Sequence, residues 1–189
     1  MALRKPATAI AAALVLIATT MFGFTATAAA NAAAPTGEQQ FAAQAKAAGL
    51  TAAEAAELQS TVDGYVAREG GTQVAANKVA VPGKGEITVA LPGERYARDL
   101  TTGARASCPY ENFCMFTGTY YSGTQFNLWK CQSYALSHWN SSGSWINNQT
   151  PGTRARFQDR NRNTIYTTPG AYAESPDYNW VPVWYVVPC

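Results

Sequence analysis

Histidine is almost missing from this chain: His138, in the context Ser-His-Trp-Asn, is the only one in 189 residues. A Ser-His-acid relay would hang on that one ring and on an exposed nucleophile, and no Gly-x-Ser-x-Gly elbow accompanies it. Glu111, Asp159, Glu174 and Asp177 are the acids of residues 101–189, and nothing in their spacing marks a carboxylate pair for glycoside chemistry. The expectation is therefore a protein that is not an enzyme. Charged residues make up 14% of the chain and form no block of one sign, which argues against nucleic acid or an anionic membrane as partner. There is no second Cys-x-x-Cys and no histidine cluster, so a zinc site has no ligand set. Neither a bound metal nor a cofactor is expected.

Hydrophobic length is confined to the N-terminus. Arg4 and Lys5 precede an apolar run over residues 9–24, and small residues follow at 26–30. That order is the one of a secretory signal peptide over residues 1–30, and no later stretch approaches the ~20 apolar residues of a membrane span. Removing it lowers the basic count from 14 to 12 against 12 acidic residues, which leaves a formally neutral exported chain with no membrane anchor. Four cysteines in such a chain read as two disulfides, with three pairings open.

The remainder divides by composition. Residues 31–100 hold three aromatics (Phe41, Tyr65 and Tyr96), whereas residues 101–189 hold 17 of the 22 and every cysteine. A short helix is expected over residues 39–48. A second starts at Thr51, which caps it with Glu54 at the capping-box position, and ends at Gly70-Gly71. Residues 74–81 and 86–91 read as two strands around Pro82-Gly83-Lys84-Gly85. One helical piece and a hairpin are a small core to stand alone, so residues 31–94 are expected to be an accessory module that docks on the C-terminal domain or on a partner, or to serve as a propeptide. Residues 95–107, polar and carrying Arg95, Arg98 and Arg105, read as a linker open to proteolysis. The third part is an aromatic domain over residues 108–189.

That domain opens with Cys108-Pro109-Tyr110-Glu111-Asn112-Phe113-Cys114. Strand-forming runs over 113–117 and 125–129 flank a turn built on Gly118, Tyr120, Tyr121, Ser122 and Gly123. Short strands and turns continue over 133–137, 144–146, 154–158, 164–168 and 181–187, with no helical period, which indicates an antiparallel sandwich. Phe116, six intervening residues and Gly123 form an aromatic-x6-Gly pattern in which a ring folds over its own hairpin. This pattern resembles the folded hairpin of the βγ-crystallin Greek key. With the Cys-Pro-x4-Cys opening, the chain is similar over its last 80 or so residues to the secreted peptidase-inhibitor family of the Streptomyces metalloproteinase inhibitor type. The helix-then-hairpin order before it resembles N-terminal extensions of other secreted actinobacterial proteins.

The resemblance implies a mainly β fold, a βγ-crystallin-like Greek-key sandwich preceded by a small α+β extension, and inhibition of an extracellular peptidase, a metalloproteinase above all, by a monomer. It also matches proximity in favouring Cys108 with Cys114, which leaves Cys131 with Cys189. Phe116, Tyr121 and Gly123 carry the fold motif. Two departures stand out. Phe157 is followed by Thr164 where the second motif would have glycine, and Asn147-Asn148-Gln149-Thr150 begins like the loop of the fold's calcium-binding versions but continues Pro151-Gly152 and offers no acid. The family's reactive loop has no counterpart between Cys131 and Cys189, so loops 137–144 and 159–163 are the candidates. Trp129 and Trp184 sit in strand patterns and are assigned to the core. Tyr120, Tyr121, Trp139 and Tyr178 lie in polar or turn-rich stretches and are the candidate contact residues, either for a protease or, on the alternative reading, for carbohydrate or cell wall. A crystallin-like antimicrobial role is a further alternative.

Overall fold

The computed structural model describes residues 36–136 and 139–189; the signal-like segment and His138 lie outside them. Two helices come first. α1 (Gly37–Ala47) is capped by Thr36 and Gln39, and α2 (Ala52–Glu69) by Thr51 and Glu54 in the expected capping box. Gly70, at φ 69°, closes α2 in the left-handed conformation that glycine tolerates without a Cβ clash. No described helix is long and apolar enough to cross a membrane.

Eleven strands follow: β1 (Thr72–Ala75), β2 (Lys78–Val81), β3 (Gly85–Thr88), β4 (Asn112–Phe116), β5 (Gln125–Leu128), β6 (Tyr134–Ala135), β7 (Ser142–Asn148), β8 (Arg156–Gln158), β9 (Thr164–Thr167), β10 (Ala173–Asn179) and β11 (Tyr185–Val187). The single strand expected over 74–81 is two, because the chain turns at Ala76-Asn77. Buried Asn77 holds that turn by donating its side-chain amide to the carbonyls of Val89 and Arg98. β10 falls on Ala-Glu-Ser-Pro-Asp-Tyr-Asn, a stretch with no strand signal; its polar residues suit an edge strand with one wet face.

The strands make two sheets, ordered β1-β2-β3-β5-β4-β7-β10 and β6-β11-β8-β9, and every pairing is antiparallel. Strands β4–β7 and β8–β11 form two units of four. In each unit the second, first and fourth strands are neighbours and the third crosses into the other sheet, β6 beside β11 and β10 beside β7. The two sheets enclose Phe113, Met115, Trp145, Phe157, Trp180 and Val186, all nearly inaccessible, with ring centroids 5.0–6.2 Å apart along Phe113, Trp145, Phe157 and Trp180. Edge-to-face and tilted contacts at such spacing add to the area term.

The division at residues 94 and 108 is not a break in this fold. β3 pairs with β5 from Gly85↔Leu128 to Thr88↔Gln125, so the N-terminal strands extend the same sheet. A Cβ at Gly85 would sit 2.0 Å from the Asn127 carbonyl oxygen, so the strands meet only because that residue is glycine. Leu58 and Val62 of α2 join one continuous core with Val79, Ile87, Phe126 and Trp180, and Tyr65 meets the Phe126 ring edge-on at 5.5 Å. The described residues make one compact unit.

The expected linker is likewise built in. Ala97 is buried, Tyr96 bridges to Gly123, Lys78 pairs with Asp99, and Gln125 donates to the Ser107 carbonyl. Residues 95–107 thus run as a strap along the polar outer side of the sheet. Its tip, residues 101–105, is exposed throughout, as are Arg95 and Ser107 near its two ends. Both disulfides are formed, Cys108–Cys114 and Cys131–Cys189, and no described cysteine is free.

Candidate binding surface

The outer side of the seven-stranded sheet is organised by the hairpin between β4 and β5. Phe116 and Tyr121 meet edge-to-face at 5.6 Å, and the Thr117 N–H donates to Thr124 while the Gly118 N–H donates to Ser122. Gly123, at φ 77°, donates its N–H to the Arg95 carbonyl; a Cβ there would lie 2.3 Å from the Thr117 hydroxyl oxygen. The motif residues Phe116, Tyr121 and Gly123 are therefore brought together. Buried Ser144 fastens the hairpin to β7: its hydroxyl donates to the Gly118 carbonyl and accepts from the Tyr121 N–H, both at 2.8 Å.

Tyr120 and Tyr121 stand at φ 54° and 61°. Two successive aromatic residues in the left-handed region cost roughly 1–2 kcal/mol each. Backbone bonds hold them there, the Tyr120 N–H donating to the Pro176 carbonyl at 2.6 Å beside the Tyr121–Ser144 bond. The Tyr120 side chain is 58% exposed.

Register fixes what lies next to this hairpin. Cys114, Ile146 and Glu174 are opposite one another across β4, β7 and β10, so their side chains share the outer face. The Tyr172 hydroxyl donates to Glu174 at 2.7 Å, and the Tyr121 phenol lies near the same carboxylate. Partial burial, with Glu174 beside it, pushes the Tyr121 phenol up to about 12. The bond to Glu174, then burial, raises Tyr172 as well. Tyr172 is 63% exposed, and Glu174 makes no ion pair among the described residues.

The other candidates separate. Trp139 packs on Phe126 and Trp180 at 5.1 and 5.3 Å. Tyr178 packs on Phe157, Trp180 and Tyr166, and burial pushes its phenol up to about 12. Both are half-buried against the core and do not join Tyr120 and Tyr121 on the outer face. Trp129 and Trp184, assigned to the core from their strand patterns, are instead 45% and 50% exposed. Trp129 follows the end of β5 and Trp184 precedes β11, where the alternation that would bury them has lapsed. Sequence reasoning set Glu174 aside with the other acids and passed over Tyr172, because the strand that begins at Ala173 was not recognised.

Loop 159–163 is closed from within. The Asp159 carboxylate accepts from the N–H groups of Asn161 and Asn163 and from the Asn163 side chain, and the Asn163 bond leads the causes that lower its pKa. Arg162 lies over the Tyr185 ring at 4.0 Å and donates to Ser133. Of loop 137–144, residues 137 and 138 are outside the described part. The amides of the loop that begins like a calcium site serve the fold instead: Asn147 donates to Thr153 and Pro169 carbonyls, and Gln149 to Asn147 and Pro188. No group of three or more His, Cys, Asp or Glu is placed to hold a metal among the described residues. No family model, curated protein or solved structure matches the chain.

Proposed function

We propose that this chain is a secreted, non-catalytic inhibitor of an extracellular peptidase, acting as a monomer on a βγ-crystallin-like sandwich. The observation that carries the reading is the exchange of third strands between β4–β7 and β8–β11, the arrangement expected of paired Greek keys. The Phe116–Tyr121–Gly123 hairpin and the adjacent Cys108–Cys114 bridge support it at the level of side chains. Two disulfides in a chain of this size suit an oxidising compartment. A peptidase is a suitable partner because rigid, crosslinked loops bind with little loss of conformational entropy and part slowly if cut. Loop 159–163 meets that requirement best among the described residues, since Asp159 closes it and Arg162 anchors it on Tyr185.

Titrating the oxidised chain against a thermolysin-type metalloproteinase and against serine peptidases tests this. A sharp equivalence point with one of them, lost when residues 160–162 are replaced by glycine, is the expected result. Activity unchanged at tenfold molar excess in every case would dismiss the inhibitor reading.

A further inference from the structure

We infer that Tyr120, Tyr121, Tyr172 and Glu174 form a glycan-binding platform on the outer face of the seven-stranded sheet, independent of any peptidase contact. Three features of the geometry converge. Tyr120 and Tyr172 are among the most exposed large side chains, at 58% and 63%. The Tyr172 phenol donates to the Glu174 carboxylate, which lies near Tyr121 as well and has no cation partner among the described residues. Display of the tyrosines also carries a backbone cost, because Tyr120 and Tyr121 are both held at positive φ by bonds to Pro176 and Ser144. Strain of that kind persists only where the surroundings enforce it, and it is concentrated at functional sites.

The chemistry selects the ligand class. A pyranose ring offers an apolar C–H face and a rim of hydroxyl donors. Phenol rings supply the apolar counterpart. Glu174 supplies acceptor lone pairs: one oxygen is engaged by Tyr172, and a carboxylate has about four acceptor positions. Phenols raised well above neutrality stay protonated and add further donors and acceptors. The Tyr172 ring is held through Glu174 and the Tyr121 ring against Phe116, so both are already oriented before a ligand arrives. The complement is an extended, uncharged β-linked polysaccharide.

The test uses the oxidised full chain and two soluble probes, cellohexaose and chitohexaose, followed by NMR titration of the tyrosine ring resonances. Binding of at least one probe is expected, with shifts centred on Tyr120, Tyr121 and Tyr172. Tyr172→Ala and Glu174→Gln should each weaken it about tenfold, the size of one lost ring contact or charged hydrogen bond. Trp184→Ala, an exposed ring on the other sheet, should bind like the parent. Both platform positions are exposed, so thermal melts of the variants should match the parent and separate lost binding from lost folding. Absence of binding to either probe, or full affinity in both platform variants, overturns the inference. Loss of peptidase inhibition in these variants with no glycan binding would instead make the platform a protein contact. Glycan binding in a chain that inhibits nothing would leave the platform standing while the inhibitor reading fell.

Discussion

Individual residues decide where this fold is intolerant. Gly85 is the clearest case, since its missing Cβ admits the Asn127 carbonyl oxygen across the β3–β5 seam. Gly85→Ala should cost at least about 1–3 kcal/mol through overpacking of backbone against backbone, measured as a lower denaturant midpoint at unchanged slope. Asp99 ties the strap to the sheet. Burial pushes its carboxyl up, but hydrogen bonds from Lys78 and Thr101 prevail and hold it at about 2, below its ordinary 3.8. Its folded-state pKa is thus depressed, so its contribution is present above pH 4 and is lost as pH falls from about 4 to about 2. The difference corresponds to at most about 2 kcal/mol before solvent screening. Asp99→Asn should flatten the pH dependence of the melting temperature in that window and leave it unchanged above pH 6.

Elements differ in how legible they are. α2 is announced by Thr51, Glu54 and Gly70, because capping is local chemistry written in consecutive residues. The β4–β5 hairpin is equally local, and its turn glycines and aromatics sit where the pattern requires. β10 is not legible, since Pro176 and three polar neighbours suppress strand propensity and its pairing with β7 is decided by tertiary register. The grouping of Glu174 with Tyr121 and Tyr172 went unseen for the same reason. The strap over residues 95–107 is hidden too, because what orders it are partners distant in sequence: Asn77, Lys78 and Gln125. The two crosslinks should also differ. In the chain-entropy view, the Cys131–Cys189 bridge, spanning 58 residues, contributes about 4 kcal/mol, and Cys108–Cys114, spanning 6, about 2. Paired Cys→Ala replacements compared by chemical denaturation should give that order, with the long bridge the costlier loss.

For the whole molecule, the contrast in composition between residues 31–100 and 101–189 suggested two modules, whereas hydrogen bonding and the core unite them. Alanine-rich helices and a cysteine-bonded sheet look unlike in sequence because α2 needs only a narrow apolar stripe, carried by Leu58, Val62 and Tyr65, to cover its half of the sheet. Trypsin should cut first at the exposed tip of the strap, after Arg105, and the two pieces should still elute together, since β3 and β5 remain paired. The most direct measurement is the thermal unfolding of residues 106–189 produced alone with both disulfides formed. A single eleven-strand fold predicts that this fragment, with the β5 edge, Phe126 and Leu128 uncovered, shows no cooperative transition and recovers one when residues 36–105 are added. A sharp transition in the isolated fragment at the melting temperature of the full chain would contradict it.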